Sequence, residues 1–273
     1  MKPETIGEVG TPLMVGDRIA LATMAKVPVP GAVKTRLCPP LEPAEAATLA
    51  RCFLQDRIEQ LATLPVGEPM VAFTPPERAE ELQSLLPTGV RLIPQAGEDL
   101  GARLDRLLTD LLGEGYAGAI AVDADSPTLP SVYLEEACRQ LLAGGVDVVV
   151  GPSEDGGYYL IGLRRPAPGL FHAMPWSTSA VLAETMARAR EARLRVSLLP
   201  TWFDIDRGPD LDASGGLPGR RPSGRREPLP SWRRGPGGAR DRSRPRGRRS
   251  HPRRRVRWRC GARRCPSPRA SAR

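Results

Sequence analysis

AGAIAVDADSPTLP, residues 117–130, is the stretch whose reading decides the fold. Ala119-Ile120-Ala121-Val122 is a short apolar run that ends abruptly on Asp123-Ala124-Asp125-Ser126-Pro127. A strand buried on both faces of a parallel sheet reads as such a run. In open α/β sheets, ligands sit just beyond the carboxyl ends of the strands. Two carboxylates two residues apart at that point can hold a divalent cation against phosphate oxygens. The same spacing also suits one aspartate capping the following helix and the other lying in a solvated turn.

On both sides of this stretch, strand and helix patterns alternate. Ile19–Ala22 reads as a strand, and residues 24–37 as a long loop, because Pro28, Pro30 and Gly31 interrupt any regular element. Pro43 sits at a favourable first-turn position, and Leu49, Phe53, Leu54, Ile58 and Leu61 repeat at helical spacing, which predicts a helix over 43–62. Strands are predicted at 69–73 and 90–93, with helices at 76–86 and 98–112. Beyond the central strand come a helix over 131–142 and a strand over 146–150 that Gly151-Pro152 should break. A strand over 158–163, a helix over 179–192 and a strand-like 195–199 follow, leading into Trp202–Asp206. The alternation predicts an α/β three-layer sandwich around a mostly parallel sheet, spanning residues 18–212.

The net charge of +9 conceals a strong asymmetry. Residues 213–273 carry 21 arginines against Glu227 and Asp241, a net +19, which leaves −10 on residues 1–212. This Arg/Gly/Pro/Ser-rich tail has too little apolar surface to offset the entropy of ordering and is expected to be disordered. Its composition matches GC-rich coding DNA read out of frame; the alternative is a basic arm that binds nucleic acid through phosphates. Residues 1–17, with three glycines and two prolines, read as a loose leader. No run approaches the roughly 18 apolar residues of a membrane helix, and the start lacks a secretory pattern. The five cysteines are scattered without a CxxC, so neither a disulfide framework nor a zinc site is indicated, and a cytoplasmic setting is expected.

Several loops carry residues suited to phosphate chemistry. Lys26, Gly31, Lys34 and Arg36 follow the first strand and can form a cationic cradle, although no P-loop or GxGxxG motif is present. Gly101 and Arg103 sit at a helix start, where a ligand can approach the backbone or an anion the guanidinium; Asp99 also suits an ordinary cap. Asp155-Gly156-Gly157 forms either a hairpin turn or a loop that lets a sugar or phosphate come close. Trp176 fills the core or stacks on a ring, and Ser177 or Thr178 caps the next helix. Asp204-Ile205-Asp206 repeats the acid-x-acid pattern of the central strand.

Six segments occur together in order: AKVPVPGAVKTRL (25–37), EDLGARL (98–104), DADSPTLP (123–130), GPSEDGGYYLIGL (151–163), PWST (175–178) and WFDID (202–206). Over about residues 18–212 the chain resembles the GT-A-like bacterial transferases of the selenodomain-associated group, relatives of the 2-phospho-lactate guanylyltransferases. The resemblance implies a Rossmann-like nucleotide-diphospho-sugar transferase fold that binds a nucleotide and a divalent metal, Mg²⁺ or Mn²⁺. It implies a glycosyltransferase moving a sugar from a nucleotide-diphosphate donor to a small-molecule acceptor, or a nucleotidyltransferase acting on an NTP and a phosphorylated metabolite. Lys34 and Arg36 then fall in the phosphate-binding loop, with Lys26 nearby. Asp125 is the foremost metal ligand, Asp123 stands where relatives often carry Gly or Asn, and Asp206 approaches the metal from the other side. Asp155 orients or deprotonates the acceptor hydroxyl, and Gly156, Gly157, Trp176, Ser177 and Thr178 lie on the acceptor side.

Overall fold

The computed structural model describes residues 14–214 and two two-residue strands, Arg259–Cys260 and Arg263–Arg264, paired antiparallel. The expected leader and tail therefore lie almost wholly outside the described residues, and the nucleic-acid expectation with them. Seven strands form the main sheet: β1 (Ile19–Lys26), β2 (Gly67–Thr74), β3 (Arg91–Pro94), β4 (Gly118–Asp123), β5 (Val148–Pro152), β6 (Tyr158–Leu163) and β7 (Val196–Leu198). Their spatial order is β3-β2-β1-β4-β6-β5-β7, and only β6 runs against the others.

Helices α1 (Pro43–Ala62), α2 (Ala79–Leu85) and α4 (Ser131–Leu142) cover one face; α3 (Leu100–Gly113) and α5 (Val181–Glu191) cover the other. The strands are apolar on both faces, as burial between two helix layers requires. Ile19, Leu21, Val71, Phe73, Ile120 and Val122 point to the first layer. The alternate positions Ala20, Ala22, Ala72, Ala119 and Ala121 are small, and Leu104, Leu107, Leu108 and Leu111 of α3 pack against them. A third, smaller core joins Leu37, Leu41, Leu49, Phe53 and Ile205. It fastens the loop after β1 and the segment after β7 to the N-terminal half of α1.

Several boundaries differ from the sequence expectation. β1 continues to Lys26 because β2 pairs with it in register as far as Thr74, whereas its pairing with β4 ends at Met24 opposite Asp123. Gly151-Pro152 does not break β5; a bulge there accommodates the proline, whose carbonyl accepts a hydrogen bond from the Trp202 N–H. Trp202–Asp206 forms one bridge, Ser153 to Trp202, rather than a strand. A short helix α6, Gly208–Ser214, follows. Although cysteine spacing predicts no disulfide framework, Cys52 is disulfide-bonded, whereas Cys38 and Cys138 are free thiols. Among the described residues no helix is long and apolar enough to cross a membrane.

Candidate functional site

The carboxyl ends of β1, β2 and β4 open into a cleft of about 460 Å³. Lys26, Lys34, Arg36, Arg103, Asp125 and Asp206 all line it, so six residues singled out from separate segments of sequence come together in one place. Thr74 and Gln95 complete its wall. Gln95 donates its amide to the carbonyls of Ala72 (2.8 Å) and Ala25 (3.3 Å), which ties the loop after β3 across the ends of β1 and β2.

Lys34 is the hinge of the arrangement. Its backbone is left-handed (φ 49°, ψ 35°), a conformation that costs a non-glycine residue about 1–3 kcal/mol unless the surroundings fix it. Here they do: the ammonium donates to the Ile205 carbonyl at 2.6 Å and lies 3.0 Å from Asp125 Oδ1 and 3.9 Å from Asp206 Oδ1. The Lys34 side chain is only 4% exposed, whereas that of Asp125 is 47% exposed and presented to the cleft. Arg36 reaches Asp206 Oδ2 at 2.9 Å. The Ile205 N–H donates to the Asp125 carbonyl at 2.9 Å, so the two acidic stretches are also joined through their backbones. Asp210, in the first turn of α6, reaches back and accepts from the N–H groups of Asp206 and Arg207 at 3.0 and 2.6 Å.

Asp123 is built differently from Asp125. Its carboxylate accepts from Ser126 Oγ at 2.6 Å, lies 3.5 Å from the Arg57 guanidinium and does not line the cleft. Among the described residues Asp123 Oδ1 has no hydrogen-bond partner, and burial pushes the carboxyl up to about 7 against the pull of Arg57. Burial in turn lowers the pKa of Arg57. Asp204 is half-buried and also raised, by burial first and then by the nearby carboxylate of Asp155.

The remaining candidates form a second group beside the cleft. Residues 153–157 are a hairpin turn between β5 and β6, with the Ser153 N–H donating to the Gly157 carbonyl and Asp155 Oδ1 accepting from the Gly157 N–H, at 3.0 and 2.9 Å. At Gly156 (φ +90°) a Cβ would lie 2.4 Å from the Ser179 carbonyl, so the hairpin packs directly against the loop containing Trp176, Ser177 and Thr178. Trp176 packs edge-on to Tyr158 at the rim of the core. Helix α5 begins at Val181, later than predicted, and no side chain caps it; Thr178 instead donates to the Pro175 carbonyl and accepts from the Ala180 N–H. Gly101 is likewise explained by close packing: a Cβ there would meet the Phe171 carbonyl at 2.3 Å. Asp99 is an ordinary N-cap, accepting from Ala102 N–H at 2.7 Å. Gly31 turns the exposed loop after β1 at φ +77°.

The donor chemistry suits a hard divalent cation. Among the described residues no group of three or more His, Cys, Asp or Glu could hold a metal ion. Mg²⁺ and Mn²⁺, however, commonly take one or two carboxylates and complete their shell with water and phosphate oxygens. Asp125 and Asp206 already converge on one cationic atom, Lys34 Nζ, at the cleft edge.

Residues 57–178 match a protein-family model described as "Uncharacterized protein conserved in bacteria (DUF2064)". The fold is similar to the crystal structure of a "putative nucleotide-diphospho-sugar transferase" from Desulfovibrio desulfuricans G20. The two share 31% identity over 74% of this chain and 87% of that one, with a TM-score of 0.70. A 4-diphosphocytidyl-2C-methyl-D-erythritol synthase from Anaerococcus prevotii DSM 20548 is more distant, at 8% identity, 72% and 96% coverage and a TM-score of 0.49. A CMP-2-keto-3-deoxy-manno-octonic acid synthetase complexed with CTP is similarly remote, at 13% identity, 72% and 96% coverage and a TM-score of 0.48. Neither remote likeness bears on what this chain does. No curated protein is significantly similar in sequence. At 31% identity over 74% of this chain and 87% of the Desulfovibrio protein, the chain belongs to the same family as that protein and has its GT-A-like nucleotide-diphospho-sugar transferase fold.

Proposed function

We propose that this protein is a metal-dependent glycosyltransferase that moves a sugar from a nucleotide-diphosphate donor to a small-molecule acceptor. One observation carries the reading: four cations, Lys26, Lys34, Arg36 and Arg103, and two carboxylates, Asp125 and Asp206, line one cleft at the strand ends. That charge pattern suits a polyanion bound together with a cation, and the cleft volume is in the range of small-molecule sites. Transferase chemistry is supported by the likeness to the Desulfovibrio protein.

In this reading Asp125, with Asp206, holds Mg²⁺ or Mn²⁺. The bound ion supplies charge neutralisation of the diphosphate. Lys34 and Arg36 stabilise the same diphosphate as its charge develops, the preorganised electrostatic route to transfer. The acceptor hydroxyl oxygen attacks the anomeric carbon, the bond from that carbon to the diphosphate oxygen breaks, and the nucleoside diphosphate leaves with the electron pair. The hydroxyl proton passes to Asp155 at the hairpin, the side on which Gly157, Trp176, Ser177 and Thr178 face the acceptor, with Gly156 letting the hairpin pack against their loop.

The surplus of four cations over two carboxylates also favours a second reading, in which an NTP occupies the cleft and a phosphorylated metabolite attacks its α-phosphate. Thermal unfolding of the full chain with nucleoside diphosphates, triphosphates and nucleotide-sugars, with and without Mn²⁺, tests both. A metal-dependent rise in melting temperature with nucleotide-sugars or diphosphates supports glycosyl transfer. Pyrophosphate release from an NTP supports the second reading. No shift with any nucleotide contradicts both.

A further inference from the structure

We infer that Arg57 and Gln60 of α1 are positioning residues that tether the turn after β4, holding Asp123 inward so that Asp125 faces the cleft. Arg57 falls in the apolar stripe of α1, one turn from Phe53 and from Leu61, and is 3% exposed. A buried guanidinium on a core-facing stripe is costly unless its donors are satisfied. Among the described residues its hydrogen-bond and ion-pair partners belong either to the helix or to one turn. Nε donates to the Asp123 carbonyl at 3.2 Å and one terminal nitrogen to the Ser126 carbonyl at 2.7 Å, while the other terminal nitrogen bonds Gln60 Oε1. Gln60 passes the connection on, donating to the Leu129 carbonyl at 2.7 Å and to Ser131 Oγ at 3.1 Å.

Two adjacent helical turns thus hold five consecutive attachment points between Asp123 and Ser131: the Asp123 carbonyl and carboxylate, Ser126, Leu129 and the start of α4. Asp125 lies inside the tethered segment yet receives none of these bonds; among the described residues its carboxylate is ion-paired with Lys34. The geometry divides the two aspartates of the motif. Asp123 anchors the turn from beneath, and Asp125 is left as the carboxylate for the cleft. A rigid support under a reacting or ligating group is what preserves sub-ångström placement.

The consequence for nucleotide and metal binding rests on the function proposed above, but the tether itself does not, so the experiment separates the two. Hydrogen exchange of the full chain would be measured for wild type, Arg57→Gln, Arg57→Lys and, should Arg57 variants fold poorly, the milder Gln60→Ala. The amides of Ala124, Asp125, Ser126, Thr128 and Leu129 should exchange about tenfold faster in Arg57→Gln while those of β1 and β2 keep their protection, as local opening requires. Arg57→Lys should restore part of the protection, and Gln60→Ala should loosen Thr128, Leu129 and Ser131 alone. Unchanged exchange at 124–129, or a uniform rise across the whole sheet, would overturn the inference. In parallel, the Mn²⁺-dependent melting shift with UDP or GDP should shrink in Arg57→Gln beyond its loss of basal stability. A wild-type protein that shows no such shift contradicts the proposed function, while the exchange pattern still decides the tether.

Discussion

Two acid-x-acid stretches end at the same edge of the sheet, Asp123-Ala124-Asp125 after β4 and Asp204-Ile205-Asp206 after β7, and they are supported in opposite ways. The first is fixed from below by buried Arg57, and its exposed acid, Asp125, pairs with a buried lysine. The second is fixed by Ile205, wholly buried in the small core with Phe53, and its outer acid pairs at 2.9 Å with Arg36, whose side chain is 62% exposed, and only at 3.9 Å with the same buried lysine. In each stretch the inner acid is raised by burial and the outer acid lines the cleft. Similar sequence patterns therefore yield unequal sites. A short pair to a buried cation is worth more than one whose cation is screened by solvent.

Substitutions should rank accordingly. Asp125→Asn is expected to have the largest effect, abolishing the metal-dependent melting shift and lowering turnover by about a hundredfold or more, the scale seen when one preorganised electrostatic group is lost. Asp206→Asn, on the weaker side, should lower turnover less under the same assay. Lys34→Ala should come next. Removing one buried charge-assisted donor costs about 1.5–3 kcal/mol, which titration calorimetry would read as a roughly ten- to hundredfold loss of nucleoside-diphosphate affinity.

Asp147 supplies the contrast from outside the site. It lies at the amino end of β5, accepts from the backbone and guanidinium of Arg195 and from Arg165, and is held well below the usual carboxylate range chiefly by Arg195. Because its folded pKa is depressed, its contribution is present above the unfolded carboxylate value of about 4 and is lost as the pH falls below that. Asp147→Asn should lower stability in urea by about 1–2 kcal/mol at pH 7, with the deficit narrowing towards pH 3, and leave nucleotide affinity unchanged. Arg36→Ala should have the smallest effect: a few-fold loss of affinity and no more than about 0.5 kcal/mol of stability, as expected of an exposed pair.

Much of this was legible in the residues themselves. Pro43 and the apolar spacing place α1 over 43–62 as observed, and β6 and α4 keep their expected bounds, because local pattern and burial agree there. The clustering of Lys34, Arg36, Asp125 and Asp206 followed from their positions at strand ends. What stayed hidden depends on distant partners. Arg57 looks like a solvated helix charge until its acceptors, 66 and 69 residues away, are known; the only local signal is its phase with Phe53 and Leu61. Gly101 and Gly156 read as ligand-approach positions, whereas what approaches them is the chain itself, at Phe171 and Ser179. β1 outran its apolar run because neighbours on both sides carry it to Met24 and β2 alone carries it on to Lys26.

In the proposed function, Asp125 presents a carboxylate to a divalent cation shared with a nucleoside diphosphate in the cleft. Electron paramagnetic resonance of Mn²⁺ with the full chain tests it most directly. The free-ion signal should fall beyond the protein-free control when UDP or GDP is added to wild type, and recover with Asp125→Asn while Asp147→Asn behaves like wild type. No depletion with any nucleoside di- or triphosphate, or equal depletion by Asp125→Asn, would contradict the account.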